Sequence, residues 1–348
     1  MRLEDLYFEL PEELIAEKPA EKREESRLLV VLRGENRFYE TKFREITDLF
    51  KKGELLVFNN TKVFKARLLG KTEGGRNVDL LLVERVQGNL WKAMVKNSRK
   101  FKSGTSVCFR NVVAKIGERV EEFRLIRFDK NLDFDDIDKI GVVPLPPYII
   151  KRRKSLGLEE YTDEDDERYQ SVLAKVSGSV AAPTASFHFS EELLSRLRES
   201  GVNFAFVTLH IGPGTFKPVE GDIDNFKIHR EWIEVDSDNI ELIKKAKMEK
   251  NKITAIGTTS VRTLETIASI FGDVRNFKAY SGYTDLFIKE GYRFKLVDGM
   301  VTNFHLPYST LLLLVYAFAG KELIQSAYRY AIENKFRFFS YGDAMIIR

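Results

Sequence analysis

The chain has 348 residues, 43% of them hydrophobic and 31% charged, which is enough for two folded units with separate cores. Its net charge of +4 permits an anionic partner without demanding one, and its single cysteine, Cys108, excludes an internal disulfide and any cysteine-cluster zinc site, as suits a reducing cytoplasm. The acidic start Met1-Arg2-Leu3-Glu4-Asp5 lacks the apolar core of a signal peptide, and the longest apolar run, Leu311 to Ala319, falls far short of the roughly 20 residues that span a bilayer, so no membrane association is expected.

Leu3 to Pro19 reads as an extended or briefly helical entry. Arg27 to Arg33 is a buried strand by its branched run, and Gly34-Glu35-Asn36 turns it into a hairpin partner, Arg37 to Thr41. Phe43 to Phe50 has helical spacing, closed by Gly53. Glu54 to Phe58 is a second buried strand running into Asn59-Asn60-Thr61-Lys62. Short amide and hydroxyl side chains favour a turn there. Alternatively, Asn59 and Asn60 present amides to a base or sugar, with Lys62 near a phosphate.

From Lys65 to about Phe128 the texture changes to short alternating segments separated by turn residues such as Gly74-Gly75, Gly88-Asn89 and Ser103-Gly104. This pattern predicts a small antiparallel barrel or sandwich with no long helix. Its basic residues Lys92, Lys96, Arg99, Lys100, Lys102 and Arg110, interleaved with Trp91 and Phe101, are either a solvated strand face or a grip for a nucleic-acid backbone. A stiff connector, Gly141 to Tyr148, follows. Lys151-Arg152-Arg153-Lys154 beside the acid-rich Glu159 to Arg168 predicts an exposed, mobile loop and a candidate nucleic-acid contact.

The α/β texture then returns. Ser190 caps a helix from Glu191 to Glu199. The stretch Phe206 to Val219 opens as a strand and breaks at Gly212-Pro213-Gly214, with His210 just before the break. Trp232 to Val235 predicts a strand and Ile240 to Lys250 an amphipathic helix. The short strand Ile253 to Ile256 meets Gly257-Thr258-Thr259-Ser260 and a helix from Val261 to Ile270. Such a junction offers unpaired amides and a positive dipole end to an anion, and Arg262 could hold that anion bidentately. Tyr283 to Ile288, containing Asp285, and Phe294 to Val297 read as strands. Two helices follow, Ser309 to Phe318 and Lys321 to Asn334, and Ala344 to Ile347 is the last strand. The expected fold is α/β, a mixed sheet interrupted by an inserted antiparallel β-barrel, with residues 1–63 and 148–348 as the catalytic domain and 64–147 as the insert.

The four histidines, His188, His210, His229 and His305, all lie in the second half, which suggests a shared site. Histidine and carboxylate permit acid–base chemistry. The hypothesis is that His188 and His210 face one cleft with Asp285, while Arg262 and the Thr258–Ser260 amides fix an anion. No serine-hydrolase elbow, Walker loop or zinc motif is present.

Seven stretches in order carry a resemblance: Leu55 to Val63 (L-L-V-F-N-N-T-K-V), Pro146 to Ile149 (P-P-Y-I), Gly178 to Ala185 (G-S-V-A-A-P-T-A), Val207 to Gly212 (V-T-L-H-I-G), Gly257 to Glu265 (G-T-T-S-V-R-T-L-E), Thr302 to Pro307 (T-N-F-H-L-P) and Phe339 to Met345 (F-S-Y-G-D-A-M). Together they resemble the S-adenosylmethionine:tRNA ribosyltransferase-isomerases of queuosine biosynthesis over nearly the whole chain. Pro213, and Ser186-Phe187 before His188, depart from the family pattern and bear on loop shape.

The resemblance implies that S-adenosylmethionine is a co-substrate donating its ribosyl carbons, with no separate cofactor. His188, His210 and His305 could in principle bind a metal, but none shows the i, i+4 pairing of a helical metal site, so no metal is expected. The acceptor would be 7-aminomethyl-7-deazaguanine at the tRNA wobble position, giving epoxyqueuosine, adenine and methionine. Candidate catalytic residues are His188, His210, Asp285 and His305. Candidate substrate-binding residues are Asn59, Asn60, Lys62, Gly212, Gly214, Gly257, Thr258, Thr259, Ser260 and Arg262. A cytoplasmic monomer is expected. The rival readings are an RNA methyltransferase using S-adenosylmethionine, for which the usual early glycine-rich nucleotide loop is missing, and a non-catalytic RNA-binding protein with the barrel as platform.

Overall fold

The computed structural model describes residues 1–216 and 218–348; Lys217, inside the stretch Phe206–Val219, lies outside the described residues. β1 (Arg27–Leu32) and β2 (Arg37–Lys42) form the expected hairpin. Phe43–Leu49 winds as a 3₁₀ helix leading to β3 (Leu55–Asn59) and the short β4 (Thr61–Val63).

Six strands then close into an antiparallel barrel: β5 (Arg67–Thr72), β6 (Asn77–Gln87), β7 (Leu90–Val95), β8 (Thr105–Phe109), β9 (Val112–Val120) and β10 (Phe123–Phe128). Among the described residues the only helical turn inside it is Ser98–Lys100. Alternation of apolar and polar residues along each strand puts one face inward, as in any small filled barrel. Trp91 therefore points into the core and Phe101, just after the Ser98–Lys100 turn, joins it; at 1% and 7% exposed neither can stack on a nucleic-acid base. Lys92 is paired with Glu84, and Arg110 donates to the Lys139 carbonyl.

α1 (Phe134–Ile140) leads to α2 (Pro147–Ser155), where an extended connector and mobile loop were expected. Pro147 stands at the first helical position, where its fixed φ and missing N–H cost nothing. α3 (Glu164–Arg168) and β11 (Val176–Ser179) follow, the latter pairing in parallel with β4. The remaining elements are α4 (Glu191–Glu199), β12 (Asn203–Leu209), β13 (Glu231–Val235), α5 (Ser237–Met248), β14 (Ile253–Ile256), α6 (Thr258–Phe271), β15 (Tyr280–Thr284), β16 (Gly299–Asn303), α7 (Thr310–Ala319), α8 (Lys321–Glu333) and β17 (Ala344–Ile347). Phe294 to Val297 is not a strand. The Glu265 carboxylate accepts the backbone N–H groups of Lys295, Leu296 and Val297, which removes those donors from any ladder.

The main sheet has nine strands in the order β15-β13-β12-β3-β14-β16-β17-β1-β2. β12, β3, β14 and β16 run parallel to one another. β17 runs against β16 and with β1. Both faces of the central strands are covered, so β3, β14, β16 and β17 are buried along their whole length, while the edge strands β2 and β15 are partly exposed. Leu55, Val57, Ala255 and Met345 pack towards the long helices, whereas Leu56, Phe58, Ile256 and Ile346 pack towards α4 and the Phe43–Leu49 turn. Among the described residues no single helix is long and apolar enough to cross a membrane.

Candidate functional site

In a sheet with parallel strands, ligands bind beyond the carboxyl ends. Here the ends of β12, β3, β14 and β16 deliver His210, Asn59, Gly257 and Asn303 to one edge. The starts of the oppositely directed β1 and β17 arrive at the same edge, with Asn303 in register with Ala344. A cleft opens there, walled by Tyr148, Ala181–Ala185, Ile211, Thr215, Gly257–Thr259, Thr302–Leu306, Ser309, Leu311, Phe339 and Ser340.

Of the four histidines, His305 lines this cleft. Its Nε2 is 2.8 Å from Thr302 Oγ1, and its backbone N–H donates to Tyr328 Oη at 3.0 Å. Burial pushes its pKa down to about 3, so the imidazole is neutral at pH 7.

Gly257 begins α6 with φ of +92°, a conformation that favours glycine. The first intrahelical bond runs from Val261 N–H to Gly257 C=O, so the amides of Thr258, Thr259 and Ser260 precede the helical ladder. Thr258 and Thr259 line the cleft. Ser260 does not, because its hydroxyl donates back to Ile256 C=O at 2.9 Å and is fully buried.

A second, smaller cavity adjoins the cleft and shares Thr215 and Leu311 with it. Arg262 and Glu231 form a buried ion pair on its wall, each side chain 5% exposed. Arg262 Nε donates to Leu286 C=O at 3.2 Å, but buried Nη2 has no hydrogen-bond partner among the described residues. Glu231 also accepts from Gly212 N–H at 3.1 Å and Thr215 Oγ1 at 3.0 Å, which fixes the loop after β12. Gly214 lines this cavity and packs on the His229 ring, which would lie 2.4 Å from an added Cβ.

Glu231 escaped the sequence reading although a signal existed. Strand residues alternate faces, so Ile233 and Val235 pointing inward place Glu231 inward too, and β13 is buried at these three positions. Asn303 was likewise missed as a site residue.

Other candidates brace the edge without walling the cleft. Asn59 is fully buried and its amide is saturated: Nδ2 donates to Leu209 C=O and Thr259 Oγ1, while Oδ1 accepts from the N–H groups of Thr61 and Leu209. It ties β3, β12 and α6 together. Asn60 Oδ1 accepts from Thr208 Oγ1 at 2.7 Å. Lys62 sits on β4, beside β11.

His188 and His210 do not share a cleft wall with Asp285. His188 is 4% exposed, stacked on Phe43, with Nδ1 2.7 Å from Ser26 Oγ and Nε2 3.2 Å from Asn303 Nδ2. His210 is held by Thr61 Oγ1, 2.8 Å from Nδ1, and its ring lies against Gly178, where an added Cβ would be 2.7 Å from Nε2. Asp285 is exposed at the end of β15. Lys151–Lys154 is no uniform basic patch. Arg153 is buried and binds Asp165 bidentately at 2.6 and 2.8 Å, Lys151 pairs with Glu12 and Lys154 with Glu160.

Burial also lowers the pKa of His188 to about 3 and of His210 to about 4, from an ordinary 6.5. A histidine whose folded value is depressed gains a proton on unfolding at any pH between the two values, so acid favours the unfolded chain. Stability should be greatest above pH 6.5 and fall as pH drops through the window down to about 4 or 3. At pH 5 the contribution of His188 is about 2 kcal/mol. The loss in urea midpoint stability between pH 7 and pH 5 should therefore shrink by about that amount in His188→Gln. An equal loss in both proteins would show that His188 is not held neutral.

Comparison with known proteins matches this architecture. The family model described as queuosine biosynthesis protein matches residues 3–347. The chain is 44% identical over 355 residues to the S-adenosylmethionine:tRNA ribosyltransferase-isomerase of Halothermothrix orenii, covering 100% of both chains. It is 47% identical to the protein of that name from Caldanaerobacter subterraneus subsp. tengcongensis, again covering 100% of both. Among solved structures, an S-adenosylmethionine tRNA ribosyltransferase from Thermotoga maritima is 36% identical, with a TM-score of 0.57, covering 99% of this chain and 100% of that one. With a sheet edge, an inserted barrel and a match from end to end, the chain belongs to the queuosine biosynthesis protein family.

Proposed function

We propose that this chain transfers the ribosyl moiety of S-adenosylmethionine to 7-aminomethyl-7-deazaguanine in the wobble position of tRNA, releasing adenine and methionine and leaving epoxyqueuosine. The observation that carries the site assignment is the pair of joined cavities: one holds a neutral histidine, the other a buried arginine with an unused Nη2. A buried charged donor left unpaired costs about 1–3 kcal/mol, which an arriving carboxylate recovers.

The methionyl end occupies the smaller cavity, its carboxylate on Arg262 and its ammonium on Glu231. Both members of that pair then serve a zwitterion, and Leu311, Leu314 and Phe287 face its aliphatic stem. The adenosyl part occupies the larger cleft beside the Thr258 and Thr259 amides.

A cationic imidazole would repel the sulfonium, so burial that keeps His305 neutral favours binding and leaves the ring unprotonated at pH 7. The sulfonium acidifies the adjacent C–H, and His305 is the acceptor for that proton. His188 and His210 act through position: His188 fixes Asn303, and His210 fixes β4 against β11. Residues 64–147 form the inserted domain. The protein works in the cytoplasm as a monomer, without a cofactor beyond its co-substrate.

Incubation of the protein with S-adenosylmethionine and tRNA carrying 7-aminomethyl-7-deazaguanine should release free adenine and methionine. S-adenosylhomocysteine would instead mark a methyltransferase, and binding without turnover an RNA-binding protein.

A further inference from the structure

A third, small cavity is lined by His188, which does not line the cleft, and Ser340 lines both. Its wall carries three guanidinium groups, those of Arg23, Arg168 and Arg337, and no carboxylate among the described residues. Among the described residues Arg23 has two long bonds, 3.3 Å each, to the carbonyls of Phe187 and Glu167. Arg168 is paired with Glu164 and donates from Nη1 and Nη2 to the Glu21 and Ala20 carbonyls at 3.3 and 2.5 Å, yet its buried Nε has no partner among the described residues. Arg337 Nη1 donates to Lys18 C=O at 3.3 Å, and its nearest carboxylate, Asp343, is 3.9 Å away and already accepts the N–H groups of Arg27 and Arg337. Burial, and next the like charge of Arg168, hold Arg23 below the usual arginine range. Three like charges converging on one small cavity, with Arg23 weakly bonded and Arg168 Nε unused, favour an anion with several acceptor oxygens.

We propose that Arg23, Arg168 and Arg337 clamp one backbone phosphodiester of the tRNA, next to the nucleotide whose base enters the cleft. This rests on the reading of tRNA as substrate. A nucleotide's phosphate lies one sugar away from its base, which matches two cavities that share a residue. The chain Ser26–His188–Asn303 joins the clamp to the cleft wall, so a seated phosphate also steadies Asn303.

Filter binding of tRNA to the full-length protein across a salt series tests the clamp without requiring turnover. The Arg23→Gln/Arg337→Gln protein should lose about one from the slope of log K against log salt, because one phosphate contact is gone. Its KM for tRNA should rise about tenfold or more while its KM for S-adenosylmethionine moves less than about twofold. Arg337→Lys, which retains the charge, should regain part of the slope and serves as the folded control.

An unchanged slope in the folded double variant overturns the clamp. If inorganic phosphate raises the melting temperature of the original protein but not of the variant while the tRNA slope stays unchanged, the cavity belongs to a free phosphate and the proposal also fails. Absence of adenine release by the original protein would count against the functional reading, and the slope would still decide the clamp.

Discussion

His305→Ala should lower kcat by roughly 10²–10⁴-fold, the usual contribution of a positioned acid or base. The KM for S-adenosylmethionine should change by only a few fold, since the side chain acts in the transition state. His305 lines the cleft, with Nε2 bonded to Thr302 Oγ1 and its backbone anchored by Tyr328. Thr302 belongs to β16, so the ring is held by a sheet strand rather than by a loop. With its pKa pushed down to about 3, kcat should show no histidine titration between pH 5 and pH 7. Single-turnover release of adenine, measured over that range, checks both statements. Full turnover in His305→Ala would move the proton acceptor elsewhere, and a kcat that rises with a midpoint near 6.5 would mean the ring is not held neutral.

Arg262→Ala should raise the KM for S-adenosylmethionine roughly 10- to 100-fold, the equivalent of one lost charge-assisted bond. Two effects combine. The carboxylate loses its partner, and Glu231 is left as a buried carboxylate held, among the described residues, by Gly212 N–H and Thr215 Oγ1. Breaking a buried pair from one side costs about 3–5 kcal/mol of stability, so a melting curve must accompany the kinetics.

Glu231→Gln separates the two effects. It keeps the shape of the side chain and its acceptor oxygen but removes the charge that would meet the ammonium group. If the pair recognises a zwitterion, this variant also binds S-adenosylmethionine more weakly. If the pair is only a brace, a double Glu231→Ala/Arg262→Ala protein should recover the affinity that Arg262→Ala loses. Isothermal titration with S-adenosylmethionine distinguishes these outcomes.

Local patterning made most of the fold legible. All six barrel strands fall on short alternating segments between turn residues, because the side-chain period of a strand is written directly into the chain. The hairpin at Arg27–Lys42, the Ser190-capped α4 and the final strand Ala344–Ile347 were equally clear. The irregular segment at Phe294–Val297 was not, since its amides are satisfied by Glu265, some thirty positions earlier in the chain.

The site was legible as a set of stretches but not as a set of roles. Sequence brought out Asn59, His188, His210, Ser260, Arg153 and His305 alike, as polar residues in unusual surroundings. It also determined that the chain has the motifs of its family in order, an inserted barrel, and a helix start after Ile256 whose glycine and threonines face a sheet edge.

Only the tertiary structure decided which polar groups are spent on the protein itself. Asn59 gives its whole amide to β4, β12 and α6, both ring nitrogens of His188 are taken by Ser26 and Asn303, and Arg153 is consumed by Asp165. His305 and Arg262 retain faces towards cavities. The physical reason is that a buried polar group must find a partner, and partners lie wherever the fold brings them. Ser26 is 162 positions from His188, and Glu231 is 31 from Arg262. No local pattern encodes such a pairing, and it is the pairing that separates a brace from a binding group.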